Sequence, residues 1–497
     1  MTSKQYRAGA AIRGRWIEEA LVPFGGRSVG IEFLSPDPKL LVDRLPLSSP
    51  DALSDLYRLR LDDILDYLER LGDRLDLSRN RHLQEALEAS CLTSPLTASV
   101  QRAAYESLPA VFNRDIALEI TQVSVGADHL EGWVEHRLVD GRKLLVRAFG
   151  ARALHIIAGN GAVIAALTVL RNALTRSDAI IKTPSNDPFT ALAIARTMIE
   201  MDAEHPITRH LSVAYWRGGD EAIEERLYRP RNLEKIIAWG GFASVKHVTR
   251  YIQPGLELIS LDPKRSISVV GPEAFADEAT LRDVALRLAT DIGAANQEAC
   301  ASARVVYVLS GTDEAGIAKL QALGREAYAA LLRLPENVST PCREMDAELR
   351  DSVNAIRLDD DWFTVIGGER DEGAVIVSHL AHPVDFAPRL SKRVANLVPV
   401  DGLDEVAAAV DAYTQAVGVY PESLKPVLRD RLSLHGAQRF TSLGYACNPT
   451  FAGPQDALET LRQMCRWVVC EDCDPAVTPP LWEDGRLFRK KNTKEAA

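Results

Sequence analysis

Residues 153–170 read Ala153-Leu154-His155-Ile156-Ile157-Ala158-Gly159-Asn160-Gly161-Ala162-Val163-Ile164-Ala165-Ala166-Leu167-Thr168-Val169-Leu170, a run without a formal charge. Its length approaches the roughly 20 apolar residues of a bilayer-spanning helix. The centre decides otherwise, because Gly159-Asn160-Gly161 breaks a helix and would leave a side-chain amide in hydrocarbon. The run therefore reads as strand, tight turn and helix inside a water-soluble core.

Working outward, the same alternation continues. Leu154 to Ala158 reads as strand, Ala162 to Thr175 as helix, Ala179 to Lys182 as strand, Thr190 to Met201 as helix, and Leu211 to Trp216 and Lys235 to Trp239 as further strands before the turn Gly240-Gly241. Alternation of this kind predicts an α/β fold with a doubly wound parallel sheet, whose ligands sit at the carboxyl ends of its strands. Residues 121–268 form this Rossmann-type domain in the sequence reading. The dinucleotide fingerprint is incomplete, since Ala-Val-Ile follows Gly159-Asn160-Gly161 and the third glycine of G-x-G-x-x-G is missing. At the end of the second strand, where a carboxylate would bond the ribose of NAD, the chain has Lys182 in Ile180-Ile181-Lys182-Thr183-Pro184-Ser185. A cation there suits a 2′-phosphate, so NADPH is expected over NADH; the ordinary alternative is a lysine that snorkels to the surface.

A second α/β unit is expected over residues 269–445. Leu281, Val284, Ala285, Leu288 and Ile292 recur at helical spacing over 278–293, and Arg304 to Leu309 reads as a buried strand. Between them lies Gln297-Glu298-Ala299-Cys300-Ala301-Ser302-Ala303. A thiol at such a junction, flanked by small residues, is accessible to a carbonyl carbon and can hold an acyl group; a buried structural cysteine is the alternative. A helix around 314–333 and strands at Phe363 to Ile366, Val375 to Val377 and Leu397 to Val400 complete this unit.

The flanks carry no catalytic motif. Residues 1–120 are expected to be helical, with Leu53, Leu56, Leu59, Ile64, Tyr67 and Leu71 forming an apolar stripe. Residues 132–147 read as a hairpin through Asp140-Gly141, a surface suited to homo-oligomerisation. Residues 446–497 are expected to pack back on the cofactor or oligomerisation region, with Arg489-Lys490-Lys491 as a frayed tail.

The 497 residues imply several lobes, and 46% hydrophobic with 26% charged residues is an ordinary globular composition. A formal net charge of -11 gives no footprint for nucleic acid or an anionic membrane. Seven cysteines, an odd number, and a start without an apolar leader point to a cytoplasmic protein. Cys447, Cys465, Cys470 and Cys473 lack the paired spacing of a zinc site, so no metal is expected. His379 and His382 read as surface residues rather than as an acid or base.

Taken together, Ala158-Gly159-Asn160, Lys182-Thr183-Pro184-Ser185, Trp239-Gly240-Gly241, Asn296-Gln297-Glu298-Ala299-Cys300 and Arg393-Val394-Ala395-Asn396-Leu397-Val398-Pro399-Val400 resemble, in order, the motifs of the aldehyde dehydrogenase superfamily. The carboxyl-terminal piece, from Leu428-Arg429-Asp430-Arg431-Leu432 through Gly436-Ala437-Gln438-Arg439 to Met464-Cys465-Arg466-Trp467, is similar to the LuxC-like acyl-CoA reductases within it. The resemblance implies an aldehyde-dehydrogenase-like fold and NADPH-dependent reduction of an acyl-CoA or acyl-carrier-protein thioester to the aldehyde. It implies Cys300 as the acyl-carrying nucleophile, the Asn160 amide and the Cys300 N–H as oxyanion donors, and Lys182, Ser185, Gly240 and Gly241 as cofactor-binding residues. Two departures stand out. The glutamate that activates water in ordinary aldehyde dehydrogenases falls on Ser260 if Lys264 takes the place of the accompanying lysine, and Glu257 substitutes only with a shifted register. The ribose-binding glutamate is unmatched near Ser391. Loss of the water-activating base suits a reductase; oxidation of aldehydes, or acyl transfer or thioester hydrolysis without hydride, are the alternatives.

Overall fold

The computed structural model describes residues 6–25, 32–139, 141–448, 450–476 and 480–483. Asp140 of the expected turn and the Arg489-Lys490-Lys491 tail lie outside the described residues. Two seven-stranded sheets organise the chain. In the first, the spatial order is Glu257–Leu261, Lys235–Trp239, Arg152–Ile156, Asp178–Lys182 and Leu211–Ala214, all parallel, followed by Ala10–Ile12, antiparallel to Leu211–Ala214, and Arg15–Ile17, antiparallel in turn to Ala10–Ile12.

The period-2 alternation of these strands feeds two cores. Ala179, Ile181, Leu211 and Val213 pack with the helices Ala162–Leu174 and Thr190–Asp202. Ile180, Ala214, Leu154, Ile156 and Ile236 pack on the other face with Ile223, Leu227, Val245 and Val248. Both faces are covered, which is why residues 178–182 and 211–214 are buried at every position.

The second sheet runs Phe363–Gly367, Ala374–Ser378, Val394–Pro399, Ala303–Val308, Arg265–Val270, Thr414–Tyr420, Arg439–Ser442. All pairs are parallel except the first. The helices Glu278–Gly293 and Glu314–Leu331 cover one face through Val306, Val308, Val375 and Leu397. Leu349, Val353, Leu428 and Leu432 cover the other. A third sheet joins Val134–Arg137, Lys143–Gly150 and Cys465–Asp472, with Cys465 opposite Gly150 and Asp472 opposite Lys143. Among the described residues no helix is long and apolar enough to cross a membrane.

The expectation of a helical region over residues 1–120 is corrected in its first third. Tyr6–Arg7, Ala10–Ile12, Arg15–Ile17, Leu21–Gly25 and Glu32–Pro36 are strands, and helix begins at Pro38. Residues 10–17 therefore belong to the first sheet and not to a separate appendage. Strands of two to five residues carry too little periodicity to be read alone; they exist because a partner edge completes their hydrogen bonds. Arg13 (φ 51) and Gly14 (φ 80) turn the chain between Ala10–Ile12 and Arg15–Ile17.

Arg13 also anchors this hairpin. Its Nη1 donates to Asp178 Oδ1 at 2.6 Å and its Nη2 to Asp178 Oδ2 at 3.0 Å, while His210 Nδ1 lies 2.8 Å from the same carboxylate. Asp178 is 2% exposed. Burial pushes its pKa up, but the His210 and Arg13 hydrogen bonds outweigh burial and hold it below the usual carboxylate value. Removing one partner of a buried ion pair typically costs about 3 kcal/mol. Arg13→Ala should accordingly lower the melting temperature, and Arg13→Lys should not restore it, because an ammonium cannot span both oxygens. The stabilisation needs ionised Asp178, so it is present above the ordinary carboxylate pKa and is lost as pH falls through the depressed one. Thermal melts of wild type and Arg13→Ala should converge in acid; a gap that is independent of pH would contradict this.

Candidate active site

The carboxyl ends of the first sheet bring the sequence candidates to one edge. Ile156, Lys182, Ala238 and Ser260 stand in register across four adjacent strands, so the loops at Gly159-Asn160-Gly161, Pro184-Ser185 and Gly240-Gly241 leave from the same end. Two of these loops are clamped together. A Cβ at Gly159 would lie 2.3 Å from Asn186 Oδ1 and 2.8 Å from Pro184 Cγ, and Asn186 Nδ2 donates to Gly159 O at 3.0 Å. Only glycine admits that approach.

The clamp directs Asn160 towards the second unit. Its Nδ2 donates to Glu298 O at 3.2 Å, two residues before Cys300, and its Oδ1 is buried without a hydrogen-bond partner. An amide carries two N–H bonds, so this contact leaves one free to meet a substrate oxygen.

The cysteine loop is held in an unusual backbone. Ala295, Asn296 and Gln297 have φ of 51°, 51° and 65°, three successive non-glycine residues in the left-handed region. Such conformations cost about 1 kcal/mol or more each and persist only where the surroundings over-determine them. Here two amides do so. Asn296 Nδ2 donates to Thr97 Oγ1 at 3.1 Å, and its Oδ1 accepts from Thr340 N at 2.9 Å. Gln297, with 0% exposure, accepts from Val394 N and donates to Val394 O and Ala303 O, all at 2.9 Å. Beyond the turn, Ser266 Oγ donates to Cys300 O at 2.7 Å and accepts from Ala416 N at 3.1 Å.

Cys300 itself keeps solvent access. Crowding by protein around the sulfur pushes its pKa above the ordinary thiol value, Asp456 adds to the effect, and a Gln415 hydrogen bond and Arg304 oppose it. The resting group is therefore a thiol at neutral pH and needs a proton acceptor to react. Ser266, Gln415 and Asp456 were not read from the sequence. Asp456 sits in a loop with left-handed φ at Asp456 (52°) and Ala457 (61°), far along the chain from Cys300, and no periodic pattern marks it.

At the end of its strand, Lys182 is 8% exposed, which rules out the snorkelling alternative. Its Nζ lies 5.6 Å from the centroid of the Trp216 ring. Burial pushes its pKa down to about 8, against the pull of Glu224. Glu224 is itself buried and held by Gly219 N at 3.1 Å, Tyr251 Oη at 3.1 Å and His247 Nε2 at 2.6 Å. Ser185 is half-buried in the next loop. A Cβ at Gly241 would meet nothing within 4 Å, and one at Gly240 only the Ser244 side chain at 3.4 Å. Open space thus lies over this backbone, as a dinucleotide cradle requires.

The shifted register for Glu257 is corrected. Glu257 opens its strand at the amino end, where Lys235 Nζ binds it at 2.5 Å, whereas Ser260 lies at the carboxyl end and hydrogen-bonds Asp262. Glu257 cannot serve the edge that carries Lys182. His379 bonds Thr364 Oγ1 at 2.9 Å and Asp361 O at 3.0 Å, between the first two strands of the second sheet. Cys447 lies 3.5 Å from Ser302 Oγ, Cys465 is buried and Cys470 is exposed. Among the described residues no three His, Cys, Asp or Glu side chains gather as for a metal.

Gln297→Ala would remove three buried hydrogen bonds at once, to Val394 N, Val394 O and Ala303 O, each worth about 1 kcal/mol, although Val394 N keeps Ser391 O at 3.1 Å. The variant should melt well below wild type and lose turnover although Cys300 is intact. Unchanged melting would show that the side-chain amide does not hold the loop.

Residues 56–467 match the family model described as acyl-CoA reductase (LuxC). The long-chain acyl-protein thioester reductase of Vibrio harveyi is 26% identical over 424 residues, 84% of this chain and 83% of that relative. That of Aliivibrio fischeri is 28% identical over 319 residues, 64% of this chain and 63% of the relative, so the chain matches under two thirds of that protein's length. Among solved structures, aldehyde dehydrogenase 21 from Physcomitrella patens superposes with a TM-score of 0.72 at 11% identity, over 94% of this chain and 98% of its own. The NADP-dependent glyceraldehyde-3-phosphate dehydrogenase from Bacillus halodurans C-125 gives 0.69 at 13% identity, over 94% and 99%. At such identities the likeness is one of fold, and it is the aldehyde-dehydrogenase-like architecture expected from the motifs. With the family model spanning the five parallel strands of the first sheet, the cysteine loop and the start of the last strand, the chain belongs to the acyl-CoA reductase (LuxC) family.

Proposed function

We propose that this protein reduces an acyl thioester, carried by CoA or by an acyl-carrier protein, to the aldehyde through an acyl-enzyme on Cys300. The observation that carries the reading is the contact of Asn160 Nδ2 with Glu298 O at 3.2 Å, which sets an amide donor beside the cysteine loop although the two belong to different sheets. The Cys300 thiolate attacks the thioester carbonyl, the carrier thiolate leaves, and the acyl group rests on sulfur. Each addition places negative charge on the carbonyl oxygen, for which the second N–H of Asn160 and the backbone N–H of Cys300 are the donors. Preorganised donors of this kind are worth about a hundredfold or more in rate each. A bound reduced nicotinamide supplies the hydride. Collapse of the Cys300 hemithioacetal then releases aldehyde and regenerates the thiolate.

The unmatched water-activating glutamate favours reduction over hydrolysis. Ser260 stands in place of a water-activating glutamate, and Glu257 is bound to Lys235 at the opposite end of its strand. NADPH is the preferred cofactor in this reading because Lys182 is a buried cation at the strand end where the adenosine ribose would lie, with Ser185 beside it and Gly240 and Gly241 under the pyrophosphate. The enzyme is proposed to act in the cytoplasm as a homo-oligomer, using the three-stranded sheet whose edge strand Val134–Arg137 and residues Val468 and Val469 are exposed.

Incubating Cys300→Ala with tetradecanoyl-CoA should give no acyl adduct by intact mass, whereas wild type gives one per chain; an adduct on the variant removes Cys300 as nucleophile. Acyl-CoA should drive loss of NADPH absorbance with aldehyde trapped as a hydrazone, and thiol release without NADPH loss would instead mark an acyltransferase or thioesterase. Lys182→Ala should weaken NADPH binding far more than NADH binding. In wild type that preference should decline as pH rises through about 8, where Lys182 loses its charge. Isothermal titration with both nucleotides checks both statements.

A further inference from the structure

Asn160 and Cys300 leave from different sheets, and a third element of the chain touches the loops of both. The helix Arg81–Thr93 ends beside the loop that follows Lys182, and the residues after the helix reach the cysteine loop. Thr93, 2% exposed, donates from Oγ1 to Asn186 O at 2.8 Å. Asn186 is the residue that donates to Gly159 O and packs against Gly159, so the Thr93 hydroxyl backs the clamp that directs Asn160. One turn earlier, Ser90 Oγ donates at 3.3 Å to Asp187 Oδ1, which also accepts from Thr190 N at 3.1 Å. At the far end of the segment, Thr97 Oγ1 accepts from Asn296 Nδ2 at 3.1 Å and shares a hydrogen bond with Thr340 Oγ1. Thr340 N donates to Asn296 Oδ1 at 2.9 Å, which closes a ring of three side chains on the middle residue of the left-handed turn. Arg343 Nη2 adds a tie to Cys91 O.

Four residues of chain span at most about 14 Å. The segment 93–97 is thus a short link with one end on each loop. The direct contact of Asn160 Nδ2 with Glu298 O is one hydrogen bond, worth about 1 kcal/mol net, too little to keep the loops in register unaided. We propose that Thr93 and Thr97 are positioning residues, whose hydroxyl hydrogen bonds set the separation of the Asn160 amide from Cys300. They act through Asn160 and through the cysteine loop, aligning the oxyanion donors with the carbonyl that the thiolate attacks. The amino-terminal helices thereby take part in the chemistry, although the reaction uses none of their side chains. For its purpose this role rests on the Cys300 acyl-enzyme. A misplacement of about 1 Å at such a site can cost a hundredfold in rate.

Thr93→Val and Thr97→Val keep the side-chain volume and delete the hydroxyl. In the full chain, acylation of Cys300 by tetradecanoyl-CoA, followed by rapid quench and intact mass, should slow about tenfold or more in each. Thr93→Ser and Thr97→Ser should recover most of that loss. Alkylation of Cys300 by iodoacetamide develops no oxyanion, so in Thr93→Val its rate should stay within about twofold of wild type. Combined with Asn160→Ala, Thr93→Val should add little further loss, because the group it positions is gone. An equal loss in both backgrounds marks a merely structural effect and overturns the role. Amide hydrogen exchange tests the link without turnover: peptides over 157–161 should exchange faster in Thr93→Val, and those over 294–300 faster in Thr97→Val. Unchanged exchange in these peptides, or wild-type acylation in both valine variants, overturns the proposal. Faster exchange in both, with no acyl adduct on wild type, leaves the link standing and removes the proposed function instead. Should Thr93→Val fail to fold, Thr97→Val and Thr97→Ser decide alone.

Discussion

The fully buried Gln297 amide is the interaction on which the rest of the site depends. It stands in for a peptide group, making the hydrogen bonds to Val394 that a neighbouring strand would make, and it does so at the end of three consecutive left-handed residues. A turn so unfavourable for residues with side chains exists only because these bonds, and those of Asn296 to Thr97 and Thr340, are lost if it relaxes. The strain is what turns the chain away from the helix Glu278–Gly293 and presents Cys300 to solvent before the strand Ala303–Val308 begins.

From that loop the contacts run in both directions. Asn160 reaches it from the first sheet, on a loop that a single glycine, Gly159, allows to lie against Pro184 and Asn186. From the second sheet Ser266 ties Cys300 O to Ala416 N, beside which Gln415 donates to Asp456 of the carboxyl-terminal loop. The two doubly wound sheets thus keep separate cores while their loops share one small volume, the usual way in which rigid scaffolds hold reactive groups on irregular backbone.

Two groups of the candidate site are held away from their ordinary states. Lys182 is a cation weakened by burial, and Cys300 is a thiol whose ionisation is opposed by burial and by Asp456. Each is thereby poised to gain from an incoming partner of the right charge, an anionic cofactor group in one case and a proton acceptor in the other. The hairpin at Ala10–Ile12, tied down by Arg13 to Asp178, closes the opposite side of the first sheet.

Much of the scaffold was legible in the sequence because it is written in local periodicity. The helix read over 278–293 spans those residues in the structure, and the strand–turn–helix reading of residues 153–170 holds to within two residues at each end. The five motifs that resemble those of the aldehyde dehydrogenase superfamily gave Cys300, Asn160 and Lys182 as candidates from residue type and order alone. Three things lay beyond that reach: the short amino-terminal strands, which form only against a partner edge; the position of Glu257, which a register ambiguity left open; and the Ser266 side chain that holds the Cys300 carbonyl, with the Gln415–Asp456 pair beside it. Each depends on contacts between residues distant in the chain, where neither period nor spacing leaves a trace. Local hydrogen-bonding and burial patterns are properties of the sequence, whereas which side chains share the space beside Cys300 is set only when the two sheets pack and bring their loops together.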